Sequence, residues 1–119
     1  MFSYHLWMDI TDEHFLPGHA DHAFALSWIE SRATGAHQLV FANGSGLLHS
    51  ATCRNRPAAE LEELLAFVER LAARCPESHG LLITVDDERD EDPVDARVIA
   101  DGRVQVRPVD PVLARVAIG

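Results

Sequence analysis

The chain contains no lysine: its ten cationic side chains are all Arg, set against 19 carboxylates, for a formal net charge of −9. The missing lysine reads as base composition more than as chemistry, but the charge balance has a consequence. It argues against direct nucleic-acid binding, which relies on cations to displace counterions from phosphates. Cysteine is nearly as scarce. Cys53 and Cys75 stand in no metal-ligand or redox spacing, so no disulfide framework is expected, and buried thiols in a reducing compartment are.

Long apolar runs are also missing, and none approaches the ~18 residues of a membrane span. The start, Met1-Phe2-Ser3-Tyr4-His5, has no basic region leading into an apolar one, so a cytoplasmic protein with no membrane partner is expected. Asn43-Gly44-Ser45 fits a glycosylation sequon but, without a secretory signal, reads as a turn. Phosphate loops, nucleophile elbows, zinc-protease helices and paired cysteines do not occur. Asn43-Gly44-Ser45-Gly46 is glycine-rich but joins two strands, so it lacks the helix N-terminal amides that cradle phosphate. No cofactor is expected, and no catalytic residue is identified.

What is present is enough for one folded domain over residues 1–119. Hydrophobic residues make up 47% and charged residues 24%, inside the globular range. A chain of this length buries roughly two-thirds of its unfolded surface.

Phe2, Tyr4, Leu6, Met8 and Ile10 alternate with Ser3, His5, Trp7 and Asp9, which is a first strand. A loop over 11–20 leads to a helix from near Asp21 to Gly35, with His22, Ala25, Leu26, Ile29 and Ala33 on one face. His37 to Ala42 and Gly46 to Cys53 follow as strands joined by Asn43-Gly44, a pair that tolerates positive φ. A second helix has Pro57 in its first turn and is stopped by Pro76. Its charges run acidic to basic, and Leu61, Leu64, Leu65, Val68, Leu71, Ala72 and Cys75 keep an i, i+3, i+4 rhythm.

A fourth strand, Gly80 to Val85, comes next, and then Val94 to Ile99 and Arg103 to Arg107 form a hairpin. Two registers compete there: a two-residue turn at Asp101-Gly102 sets Ile99 and Arg97 opposite Val104 and Val106, leaving Ala96 and Val98 facing Gln105 and Arg107. A three-residue loop with Gly102 left-handed pairs Val98 with Val104 and Ala96 with Val106, apolar with apolar, and is preferred on that ground. Residues 110–119 read as an apolar tail draped along the domain rather than as a strand. The order β-α-β-β-α-β plus a hairpin predicts an α+β two-layer sandwich of the ferredoxin-like type: a mainly antiparallel sheet with both helices on one face. Leu64, Leu65, Val68 and Leu71 should pack against Leu6, Ile83 and Val98.

Three constellations could carry function. The fourth strand empties into Asp86-Asp87-Glu88-Arg89-Asp90-Glu91-Asp92-Pro93-Val94-Asp95, seven carboxylates and one Arg, which is six of the nine net negative charges. Such a run is either a solvated turn or a landing site for a basic partner. Acid–base catalysis would need carboxylates in unlike environments inside a cleft, and a run this charged should stay wet. His14, His19 and His22, with Asp12, Glu13 and Asp21, are weak metal candidates whose spacing belongs to no strong motif. His5, Trp7 and Asp9, on the outer face of the first strand, could serve a small-ligand module or a minor enzyme. A concave pocket there would favour a ligand, and a flat wet rim a protein partner.

Four stretches, read together, resemble the immunity protein 7 family of bacterial polymorphic toxin systems. Phe2-Ser3-Tyr4-His5-Leu6-Trp7 is similar to the family's opening strand, with Leu6 where a Gly is common, and Asn43-Gly44-Ser45 is similar to its central hairpin. Ser78-His79-Gly80-Leu81-Leu82 followed by Asp86-Asp87-Glu88 is similar to its most recognisable motif. Ala100-Asp101-Gly102 and Asp110-Pro111 resemble its C-terminal hairpin and the dipeptide beyond, although the family's usual ending is lacking and the Asp-rich run is longer here. The resemblance implies a non-catalytic α+β protein that neutralises a cognate toxin, many such toxins being basic nucleases. Asp86, Asp87, Glu88, Asp90, Glu91 and Asp92 are then the expected contact residues.

Overall fold

In a computed structural model the described residues are 1–32, 35–52, 56–89 and 93–109. They form β1 (Phe2–Ile10), α1 (Ala20–Glu30), β2 (His37–Ala42), β3 (Ser45–Ala51), α2 (Ala58–Arg74), β4 (His79–Asp86), β5 (Val94–Ala100) and β6 (Arg103–Arg107). The strands make one antiparallel sheet in the order β2-β3-β1-β4-β5-β6, and both helices pack on one of its faces. The architecture is α+β, as expected. The tail over 110–119, like Cys53 and Ala33, lies outside the described residues.

Alternation along β1 works as read: Tyr4, Leu6, Met8 and Ile10 are fully buried on the helix side. Leu48 of β3, Leu82 of β4 and Ile99 of β5 join them, and α2 adds Leu61, Leu64, Phe67, Val68, Leu71 and Ala72. Pro57 sits at the N-cap of α2 rather than in its first turn. The loop after β1 contributes Phe15, which is fully buried. Gly46 makes room for that ring, since a Cβ there would lie 2.4 Å from Phe15 Cε1.

Several expectations need correcting. α1 stops at Glu30 instead of reaching Gly35, and Leu26 points to solvent, 38% exposed. The apolar residues of α1 run almost unbroken from Ala23 to Ile29, so periodicity alone cannot choose its buried side. Ala25 faces inward, flanked by Phe24, Trp28 and Ile29. Leu65 is only partly buried.

Ile83 and Val98 are not partners of the helices. Leu6 pairs with Leu82, and Leu82 with Arg97, so Ile83 and Val98 fall on the opposite face of the sheet. The last hairpin takes the register that was set aside: Ile99 pairs with Val104, Arg97 with Val106 and Ala100 with Arg103. Asp101 (φ 54°) and Gly102 (φ 74°) are both left-handed, the two-residue turn whose twist matches the flanking strands. Turn geometry outweighed apolar matching because β5 carries apolar side chains on both faces. Asn43 (φ 54°) and Gly44 (φ 78°) make the equivalent turn between β2 and β3, as expected.

Candidate functional site

The acidic run begins where the rigid sheet ends. Asp86 closes β4, and its amide donates to Pro93 O at 2.8 Å, which ties the two ends of the run together. The Asp86 carboxylate accepts from the Glu88 amide at 3.1 Å, and Arg89 lies 3.8 Å from Asp86 and 3.3 Å from Asp95. The Met1 ammonium sits 4.0, 3.9 and 3.2 Å from the carboxylates of Asp86, Asp87 and Glu88.

These contacts separate Asp86 from Asp87, the pair nearest the strand end, and both from Glu88. The side chain of Asp86 is 19% exposed and its oxygens hold the turn. Asp87 is 35% and Glu88 73% exposed, so they can face a partner. Asp90, Glu91 and Asp92 lie outside the described residues.

A second polar group lies under the helices, where the sequence suggested only core. His37 is 8% exposed at the start of β2, its Nδ1 2.7 Å from Ser50 Oγ and its ring between Trp28 and Tyr4. Burial pushes the imidazole below its ordinary value and Arg32 adds to the effect, while Glu60 opposes it. The neighbouring phenol of Tyr4 is raised to about 12, mainly by burial, and its hydroxyl has no partner among the described residues. Arg56 holds the Glu60 carboxyl below its usual range through contacts of 2.5 and 2.7 Å, against the effect of burial. The only signal for this group in the sequence was that His37 shares the alternation of Leu39 and Phe41.

A pH dependence follows from His37. Below about pH 6.5 the unfolded chain holds more protons than the folded one at this residue, so stability should fall as the pH drops from about 7 towards 5. Denaturation midpoints across that interval should show it, and His37→Phe should flatten the slope. An equally steep slope in the variant would remove His37 as its source.

The histidines considered for metal do not converge. His14 pairs with Glu13 at 3.2 Å, His19 stands at the N-terminal boundary of α1 with no side-chain cap bond, and His22 packs against Phe15 and Phe41. Among the described residues no group of three or more His, Cys, Asp or Glu side chains could hold a metal ion. Cys75 is a buried thiol raised to about 12, chiefly by burial.

On the face away from the helices, Trp7, Asp9, Leu47, His79, Leu81 and Val98 line an open groove of about 410 Å³. The outer face of the first strand is therefore apolar within the groove, although His5, His49 and Gln38 share that face of the sheet. The groove's polar groups, Asp9 and His79, stand together at the rim, with His79 Nε2 3.9 Å from Asp9 Oδ2. The site is concave, the outcome that favours a ligand, rather than a flat wet rim, but it is open along its length, whereas a small-ligand pocket would enclose its occupant and place several polar groups around it.

The fold and its charged turn thus define a small α+β sandwich whose most distinctive chemistry is displayed on the outside. No helix among the described residues is long and apolar enough to cross a membrane. The sequence model of the immunity protein 7 family matches residues 1–117, and the chain belongs to that family. Membership makes it a toxin-neutralising immunity protein of a polymorphic toxin system. No curated protein and no solved structure gives a significant match.

Proposed function

We propose that this immunity protein neutralises a basic toxin domain, a nuclease being the leading class, by covering its cationic substrate-binding surface with the acidic turn after β4. The observation that carries the reading is the concentration of six of nine net negative charges in ten residues, seated on a strand end held by backbone hydrogen bonds. A cationic cleft built for phosphate attracts such a turn from a distance, and occupying it excludes the substrate. Nothing in this mode requires catalysis by the immunity protein.

Charge steering acts on association, so the test is kinetic. Asp87, Glu88, Asp90, Glu91 and Asp92 are changed together to Asn or Gln, sparing Asp86 because its carboxylate holds the turn. Association with the toxin domain encoded beside this gene should slow by about tenfold or more, with a smaller change in dissociation. Added salt should weaken the native protein more than the variant. Rates and salt dependence that match the native protein would move the interface elsewhere.

A further inference from the structure

An antiparallel sheet covered on one side normally turns polar residues to water on the other. Here the outer face mixes His5, Asp9, Gln38, His49 and His79 with the apolar Val40, Leu47, Trp7, Leu81 and Val98, of which Trp7 is 43%, Leu47 46% and Val40 53% exposed. Trp7 stacks on His5 (centroids 5.7 Å apart) and meets His49 at 6.0 Å, which holds the indole against the sheet. One carboxylate stands among them. Asp9 lines the groove beside Trp7 with its side chain 42% exposed; Oδ2 lies 3.9 Å from His79 Nε2, and Oδ1 has no hydrogen-bond partner among the described residues.

A carboxylate at the edge of an apolar groove is best satisfied by a cation. The groove around it is apolar and about 410 Å³ in volume. That combination fits a side chain with an apolar stem and a cationic head, whose head can also lie over an indole.

We propose that the groove between Trp7 and Val98 receives an Arg or Lys side chain of the toxin domain. The stem would run over Leu47, Leu81 and Val98, and the head would reach the exposed side of the Asp9 carboxylate and the ring of Trp7. The inference rests on the reading of the partner as a basic toxin, and adds a second, anchoring contact to the acidic turn.

The two sites suit one footprint. Asp86 pairs with Phe2 and Leu81 with Trp7, five residues along the same strands or roughly 17 Å apart. A standard interface covers about 800 Å² per partner, a patch some ~30 Å across. Asp86 itself shares the face of Leu82 and Thr84, so the same toxin face would meet the exposed Asp87 and Glu88 of the turn with its cationic rim and fill the groove with one side chain.

The test compares Asp9→Asn, Trp7→Ala and Trp7→Phe with the turn variant, against the toxin domain encoded beside the gene. Asp9→Asn keeps the shape and removes the charge, and circular dichroism confirms that it folds. Asp9→Asn and Trp7→Ala should each raise the dissociation rate by at least about tenfold while leaving the salt dependence of association nearly native, and Trp7→Phe should recover part of the loss. Alanine scanning of the toxin should find one Arg or Lys whose loss is not additive with Asp9→Asn.

Native dissociation rates in Asp9→Asn and Trp7→Ala, with slowed association in the turn variant, would overturn the groove and leave the turn standing. The reverse pattern would keep the groove and overturn the turn. Failure of the native protein to bind the toxin domain would overturn both. A homodimer that Trp7→Ala disperses would assign the groove to a second copy of this chain and overturn the proposal.

Discussion

Phe67→Ala should destabilise the protein by about 3–5 kcal/mol, read as a shift of the denaturation midpoint with an unchanged slope. Phe67 is 2% exposed, and its ring lies parallel to Trp28 with centroids 4.1 Å apart and 2° between planes. It also touches Phe24 at 5.7 Å, so this one side chain joins α2 to both aromatics of α1. Trp28 in turn packs on His37 at 4.8 Å and carries Arg32 over its ring at 4.5 Å. Truncation removes the ring's apolar burial and leaves a cavity between elements that cannot fully collapse, because the sheet beneath them is continuous. Leu65→Ala is the internal comparison, being only partly buried. A shift for Phe67→Ala no larger than that for Leu65→Ala would show that the aromatic joint does not hold the helices.

Gly80→Ala should also destabilise the fold, by about 1–3 kcal/mol or more, although it adds a single methyl group. A Cβ at this position would lie 2.3 Å from Trp7 O and 2.8 Å from Met8 Cα. Both atoms belong to the backbone of β1, so relief requires moving one strand away from another. At Gly46 the corresponding clash is with the side chain of Phe15, which has a rotamer to give up. Gly35→Ala is the control: nothing lies within 4 Å of its added Cβ and its φ is not positive, so its midpoint should stay near the native value. A native midpoint for Gly80→Ala would mean that β1 and β4 can separate without loss.

The acidic turn and the groove differ in how far they could be read beforehand. The turn is contiguous in sequence, and its charge was plain before any coordinate. Asp86 and Asp87 stood apart from Glu88 only as the pair nearest the strand, and it took the contacts of Asp86 to Pro93, Arg89 and the Glu88 amide to show that Asp86 holds the turn. The groove draws on β1, β3, β4 and β5, whose members are up to 91 positions apart if Trp7 and Val98 are taken as its ends. No local pattern links them.

By itself the sequence determined what short-range physics controls. Pro57 and Pro76 bound α2 because one suits a helix start and the other cannot continue a helix. Asn43-Gly44 makes its turn because both residues accept positive φ. The alternation of β1 names its two faces, although the outer one, with His5, Trp7 and Asp9, reads as polar in sequence. Tertiary structure decided the rest, for a common reason: a periodic pattern tells which residues share a face but not which face is covered when both are apolar. Ile83 and Val98 therefore went to the outer face, Leu26 to solvent and Phe67 to the centre. The β5–β6 register was settled by the left-handed pair Asp101-Gly102, since the apolar residues on both sides of β5 left side-chain matching without a preferred answer.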